Sequence, residues 1–226
     1  MENKQPLISI KDLFKDSFEI YKQKFWIFIK LASINIVTLL AFIPFVLLFY
    51  FSLFYSPINN IYLYALSFIY LTIYIIVSII ISFLVQIAFI FIAKERNSSI
   101  NMQQSLLKAW SIANSFVWIS FLVGLCVLGG FILFIIPGII FATYFSFSNY
   151  ILVSENKKGK LALIESKRLV KGNWWQIFGR LLTVGIFAAI ISWIPFLGSF
   201  INIFFTTPFI YIYTYLMYED LKKIKS

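Results

Sequence analysis

Histidine is absent from the 226 residues, and cysteine occurs once, as Cys126. These absences exclude an internal disulfide, a His/Cys metal site and a histidine-based catalytic triad. Charge is scarce too. Asp, Glu, Lys and Arg supply 12 % of the chain, where a soluble globular domain carries about 25 %. Against this the apolar share is 61 % and the aromatic share 20 %, too high for either a soluble globule or a disordered chain. The class left standing is an all-α polytopic membrane protein, a single integral membrane domain over residues 1–226.

The uncharged runs map the spans. A membrane helix needs about 20 apolar residues to cross ~30 Å of hydrocarbon. No charge falls between Lys30 and Lys94, between Lys108 and Glu155, or between Arg180 and Glu219. Turn-like residues divide each run: Ser56-Pro57-Ile58-Asn59-Asn60, then Gly129-Gly130 with Pro137-Gly138, then Pro195-Phe196-Leu197-Gly198. The divided runs predict six transmembrane helices near 26–54, 61–93, 116–136, 139–153, 174–194 and 198–218. All 19 basic and 9 acidic residues then lie on one side of the bilayer. The positive-inside bias makes that side cytoplasmic, with both termini inside a plasma (cytoplasmic) membrane. The charged, amphipathic first 25 residues lack a small-residue cleavage site and predict no secretory signal.

Three segments share a plan of amphipathic stretch, Trp, apolar run and Pro. Trp26 precedes Pro44 by 18 residues, Trp118 precedes Pro137 by 19, and Trp175 precedes Pro195 by 20. At 1.5 Å per residue each spacing covers about 27–30 Å, one hydrocarbon thickness. The expected architecture is therefore three repeats of an interfacial amphipathic helix plus a helical hairpin, over 11–93, 102–153 and 160–218. Trp marks the inner boundary of each and Pro the outer one. In the first copy Leu13, Phe14, Ser17, Phe18, Ile20 and Tyr21 form one face, after a Ser9–Asp12 capping box. In the third, Ala162, Leu163, Ser166, Leu169 and Val170 face one way and Lys160, Lys167, Arg168 and Lys171 another.

Residues 137–175 read PGIIFATYFSFSNYILVSENKKGKLALIESKRLVKGNWW. Pro137-Gly138, Glu155, Gly159, Ala162, Ser166, Leu169, Gly172 and Trp175 resemble the membrane domain that accompanies some bacterial glycerophosphoryl diester phosphodiesterases, and related six-helix membrane families. The resemblance implies a membrane architecture. It does not imply the hydrolase activity, whose barrel domain uses histidines and acidic metal ligands that have no counterpart here.

The densest basic cluster is Lys157, Lys158, Lys160, Lys167, Arg168 and Lys171. Such residues set topology, and near an anionic leaflet each also gains about 1 kcal/mol. Topology marking, diffuse anionic-lipid contact and a specific headgroup pocket all remain open at this point. The intramembrane polar residues Asn35, Gln86, Asn149, Asn202, Thr206 and Thr207 are uncharged, which reads as interhelical hydrogen-bond glue. Lys30 and Arg180 should snorkel to the headgroups, and Pro208 should kink the last span with threonine hydroxyls repairing its lost bond. Cys126 reads as apolar filling. No nucleophile–base pair can be assembled, so no enzyme, cofactor or metal is expected, and no basic extramembrane domain exists for nucleic acid. Two functions survive. One is a non-enzymatic membrane protein organising anionic lipid or a protein partner at the cytoplasmic face. The other is a transporter or permeability factor for a small or lipidic substrate, whose sign would be a midplane cavity at Asn149, Asn202 and Thr206.

Overall fold

The computed structural model describes residues 7–55, 61–98, 100–195 and 197–225. The turn expected at 56–60 therefore lies outside the described residues, as do Phe196 and the termini. Among the described residues all regular structure is helical, and six helices are long and apolar enough to cross a membrane: Phe25–Phe54, Ile61–Lys94, Met102–Leu133, Ile135–Glu155, Trp174–Ser192 and Leu197–Lys225. The chain is a multi-pass membrane helix bundle.

Helix α1 (Ile10–Gln23) is capped by Ser9, whose hydroxyl accepts from the Asp12 amide at 3.1 Å and donates to the Asp12 carboxylate at 2.6 Å. Of the expected face it buries Leu13, Ser17, Ile20 and Tyr21, while Phe14 is half-buried and Phe18 stays exposed. That face meets protein. Phe14 packs on Phe187, Phe209 and Tyr213 with ring centroids 5.1–5.8 Å apart. The first span follows in two pieces, α2 (Phe25–Leu40) and α3 (Ile43–Tyr55). Pro44 breaks the helix instead of marking its outer end, because it lacks the N–H that would bond Leu40. The Tyr70 hydroxyl donates to the Ala41 carbonyl at this break, at 2.6 Å. Tyr70 belongs to α4 (Ile61–Lys94), whose 34 residues extend about 51 Å at the helical rise, longer than the hydrocarbon is thick.

The second amphipathic segment departs from expectation. Residues 102–115 form no separate helix; they begin α5 (Met102–Leu133), one continuous rod of 32 residues. The reason is local. An Asn101–Gln104 capping box starts the helix, and no Gly or Pro interrupts it before Gly124. The turn at its far end is also displaced. Phe134 alone, in extended backbone, joins α5 to α6 (Ile135–Phe145). Gly130 and Gly138 are not the turn but its closest contact: a Cβ on Gly130 would stand 2.9 Å from the Gly138 backbone, and one on Gly138 would strike the Phe131 ring at 2.5 Å.

The fourth span breaks again at Ser146-Phe147 before α7 (Ser148–Glu155). Helix α8 (Lys160–Val170) and α9 (Trp174–Ser192) follow, and α10 (Leu197–Ile201) leads through a π-helical turn, Asn202–Thr206, into α11 (Thr207–Lys225). The distortion expected of Pro208 thus takes the form of a wide turn just before it. Thr206 does not repair it, since its hydroxyl is buried with no hydrogen-bond partner; the Tyr21 hydroxyl instead reaches the Phe204 carbonyl at 3.0 Å.

All four charged stretches meet at one end of the bundle. The Ile8 amide donates to Asp220 at 2.9 Å, Lys24 reaches the Ser98 carbonyl at 2.5 Å, Arg96 pairs with Glu219 at 2.8 Å, and Lys222 pairs with Glu155 at 3.0 Å. The dense core lies beside them, built from Val85 and residues 87–93 of α4, from α7, and from Phe209, Ile212, Tyr213, Met217 and Leu221 of α11. Arg180 belongs to this core. It is buried, holding the Ile8 carbonyl at 2.7 Å, and does not snorkel outward.

Candidate functional site

The charged end is organised around α7 and α8. Helix α7 ends at Asn156, which adopts a left-handed conformation (φ 54°). A short turn then leads through Gly159 (φ 55°), against Trp118, into α8. Helix α8 buries Ala162, Leu163, Ser166, Leu169 and Val170, the five residues its periodicity selects.

Ser166 does more than allow close approach. Its hydroxyl accepts from the Phe147 amide at 3.2 Å and donates to the Tyr144 carbonyl at 2.7 Å. Both backbone groups flank the α6–α7 break, so one side chain satisfies polar atoms that a broken helix leaves without partners. The end of α8 is set by Lys171 (φ −56°, ψ 127°) and Gly172 (φ 93°), with the Asn173 amide donating to the Val170 carbonyl at 3.0 Å. This is a type II turn, whose third residue needs positive φ and hence glycine. Lys225 donates to the Arg168 carbonyl at 2.8 Å and to that of Lys171, closing the helix end.

The six basic residues divide into two sets. Lys157 pairs with Glu155 at 2.8 Å and Glu165 at 3.4 Å, and Arg168 pairs with Glu165 at 2.5 Å. Glu155 also takes Lys222 and the Tyr218 hydroxyl, the latter at 2.7 Å. Burial alone would raise the Glu165 carboxyl; the Arg168 hydrogen bond and the Lys157 and Arg168 charges outweigh it and hold the pKa below the ordinary carboxylate value. Lys157 is pushed above its ordinary value, first by its hydrogen bond to Glu155 and against the lowering effect of burial. Lys158, Lys160, Lys167 and Lys171 are exposed and form no ion pair among the described residues.

Two residues at this surface escaped the sequence reading. Leu161 and Ile164 are 64 % and 63 % exposed on the outward side of α8. At 100° per residue, Lys160, Ile164 and Lys167 share an arc of roughly 60°, with Leu161 and Arg168 beside it. The signal was legible, since Leu161 and Ile164 stand three apart on the basic arc.

The other family-like residues are not drawn into this surface. Pro137 and Gly138 lie in the first turn of α6, at the opposite end of the fourth span from Glu155. Trp175 is 76 % exposed in the first turn of α9. Of the intramembrane amides, Asn149 donates to Ser120 of α5 at 3.1 Å and Asn202 to Ser192 of α9 at 2.8 Å, as interhelical glue would, whereas Gln86 donates to Ser82 of its own helix at 3.2 Å. Among the described residues no group of three or more His, Cys, Asp or Glu stands ready for a metal ion. Compared with known proteins, the chain matches no family model, no curated protein and no solved structure.

Proposed function

We propose that this is a non-enzymatic protein of the cytoplasmic membrane that gathers anionic lipid at its inner face through α8, with both termini inside. One observation carries the reading. The outward arc of α8 sets two exposed apolar side chains, Leu161 and Ile164, among lysines 160, 167 and 171, none with an ion pair among the described residues and Lys167 lying over the Tyr144 ring, which is the pattern of a helix lying in the headgroup plane. The apolar pair enters the acyl boundary while the lysines meet phosphate. The acids that would neutralise the lysines are engaged by Lys157, Arg168 and Lys222. The likeness of residues 137–175 to a membrane domain of the phosphodiesterase type agrees with a supporting role and adds no chemistry.

The test is anionic lipid retained per protein molecule after detergent purification. Replacing Lys160, Lys167 and Lys171 together by Gln should remove roughly 3 kcal/mol of attraction, at about 1 kcal/mol per charge. Leu161→Ser with Ile164→Ser should release anionic and neutral lipid alike. Unchanged lipid in the triple-Gln protein reduces the basic surface to a topology marker and removes the proposal. Retained lipid lost together with a co-purifying protein would favour a protein partner in its place.

A further inference from the structure

A second feature near the charged end is separate from α8. Helices α2, α4 and α5 leave a groove of about 730 Å³ between them, within the range of small-ligand sites. Its walls are apolar: Ile27 of α2, Leu84 of α4, and Leu106, Leu107 and Trp110 of α5. Leu107 and Trp110 are 65 % and 66 % exposed, so the groove opens sideways from the bundle. One cation stands in it. Lys30 is exposed and has neither an ion pair nor a hydrogen bond among the described residues, and Gln103 lines the same groove with its amide unengaged there.

The groove's depth follows from its residues. Lys24 holds the Ser98 carbonyl, tying the start of α2 to the loop before α5 at the charged end. Lys30 lies six residues further along, about 9 Å deeper. From Gln103 to Trp110 the apolar wall runs on for about 10 Å at the same rise. Gln103 stands at the shallow end of this slot and Lys30 part-way down it, its Cα–Cβ bond leaning back along α2 toward the charged end. A cation and an amide so placed, with apolar wall beyond them, match an anionic headgroup above an acyl chain, and basic pockets between membrane helices are a recurrent headgroup site. A partner helix would have to bring its own acid to bury Lys30; a phospholipid carries that charge already.

We infer that this groove is a binding site for one anionic diacyl phospholipid, with its phosphate on Lys30 and Gln103 and one chain along Leu84, Leu106 and Trp110. The inference needs the membrane setting but not the α8 surface.

The experiment uses the full chain in neutral detergent with equal phosphatidylglycerol and phosphatidylcholine, counting retained lipids by native mass spectrometry. The parent should keep one phosphatidylglycerol in preference. Lys30→Gln should lower that preference about fivefold, the effect of losing one such charge. Leu107→Trp, which fills the slot from its exposed side, should lower occupancy by both lipids. The α8 triple-Gln variant should keep this single lipid even if it loses the rest, so the two sites fail separately. An unchanged preference in Lys30→Gln overturns the inference. So does a parent that retains no lipid, or one that carries a second protein chain in the lipid's place.

Discussion

Helix α4 contains two regions built from the same residues and put to different use. From Ile61 to Ile80 it presents Ile, Leu, Phe and Tyr outward, with Ile61 and Tyr62 75 % and 81 % exposed. From Ile87 to Ala93 every residue is buried. Composition does not separate the halves; neighbours do. The second half is enclosed by α2, α7 and α11, with Phe89 against Phe28 and Tyr211 at 5.7 Å each. The first half meets the first span through aromatic contacts, Phe42 at the break on Tyr74 and Phe49 of α3 on Tyr64, and its exposed surface is left to lipid. In a bilayer the exposed half loses nothing by this, because lipid chains are as apolar as the residues themselves. Packing, and not removal from water, is what distinguishes the buried half.

The sharpest break of that comparison is a matched pair of truncations. Ile90→Ala should cost about 2–5 kcal/mol, since the close-packed surroundings cannot fill the cavity. Ile76→Ala, 53 % exposed in the parent, should change stability by no more than about 0.5 kcal/mol, because lipid fills the gap. Unfolding in mixed micelles measures both. Equal losses would mean that the first half is also enclosed, for instance by another copy of the chain.

The comparison shows what the sequence could tell. A helix apolar on all sides has no periodicity to reveal its inward face, so nothing in residues 61–93 announces where the core begins. Where the pattern is two-faced the buried residues were legible, one for one at α8 and for four of six at α1, where Phe18 is exposed and Phe14 half-buried. Spans were legible from uncharged runs, but breaks inside them were not. Pro44 read as the outer end of a span and proved to be a break within it, while Pro208 announces distortion without saying whether it becomes a kink or a π-turn, because that depends on which side chain satisfies the freed groups. Gly130 and Gly138 resembled a turn and proved to be a contact, a difference set by Phe131 across the hairpin. At the candidate site the cations and their local acids were legible, whereas the engagement of Glu155 by Lys222 and Tyr218, distant in sequence, was not.

Polar groups extend the comparison. Ser166→Ala should cost about 1–3 kcal/mol, because it strands the Phe147 amide and the Tyr144 carbonyl in the interior. Ser67→Ala, at a buried serine of the lipid-facing half, should cost less than about 0.5 kcal/mol. Its hydroxyl bonds only the Leu63 carbonyl of its own helix, at 2.8 Å, and that carbonyl keeps its helical bond. A stability loss of similar size in both would show that burial alone, and not the stitching of the broken span, gives Ser166 its value. Between these lies Gly172→Ala, expected to cost about 1–2 kcal/mol through the positive φ at the end of α8, with the lipid-facing half untouched.

The smallest effect should be a pH dependence confined to the charged end. Glu165 has a depressed pKa in the folded protein, held down by Arg168 and Lys157 against its own burial. A depressed carboxyl contributes stability that is fully present above its unfolded pKa, ordinarily about 4.3, and that is lost as pH falls through the folded value. Stability should therefore be flat from neutrality down to about that pKa and decline below it. Because Arg168 is solvent-exposed, the contribution should stay under about 1 kcal/mol. Glu165→Gln should flatten part of the acid decline and leave neutral-pH stability lower by that amount, while Ile76→Ala should keep the parent's pH profile. Glu155, with its own cations, supplies a remaining slope in the Gln variant. A Gln variant whose acid decline matches the parent's at every pH would show that the Glu165 pairs do not stabilise the fold, and that the charged end is held by its buried apolar contacts alone.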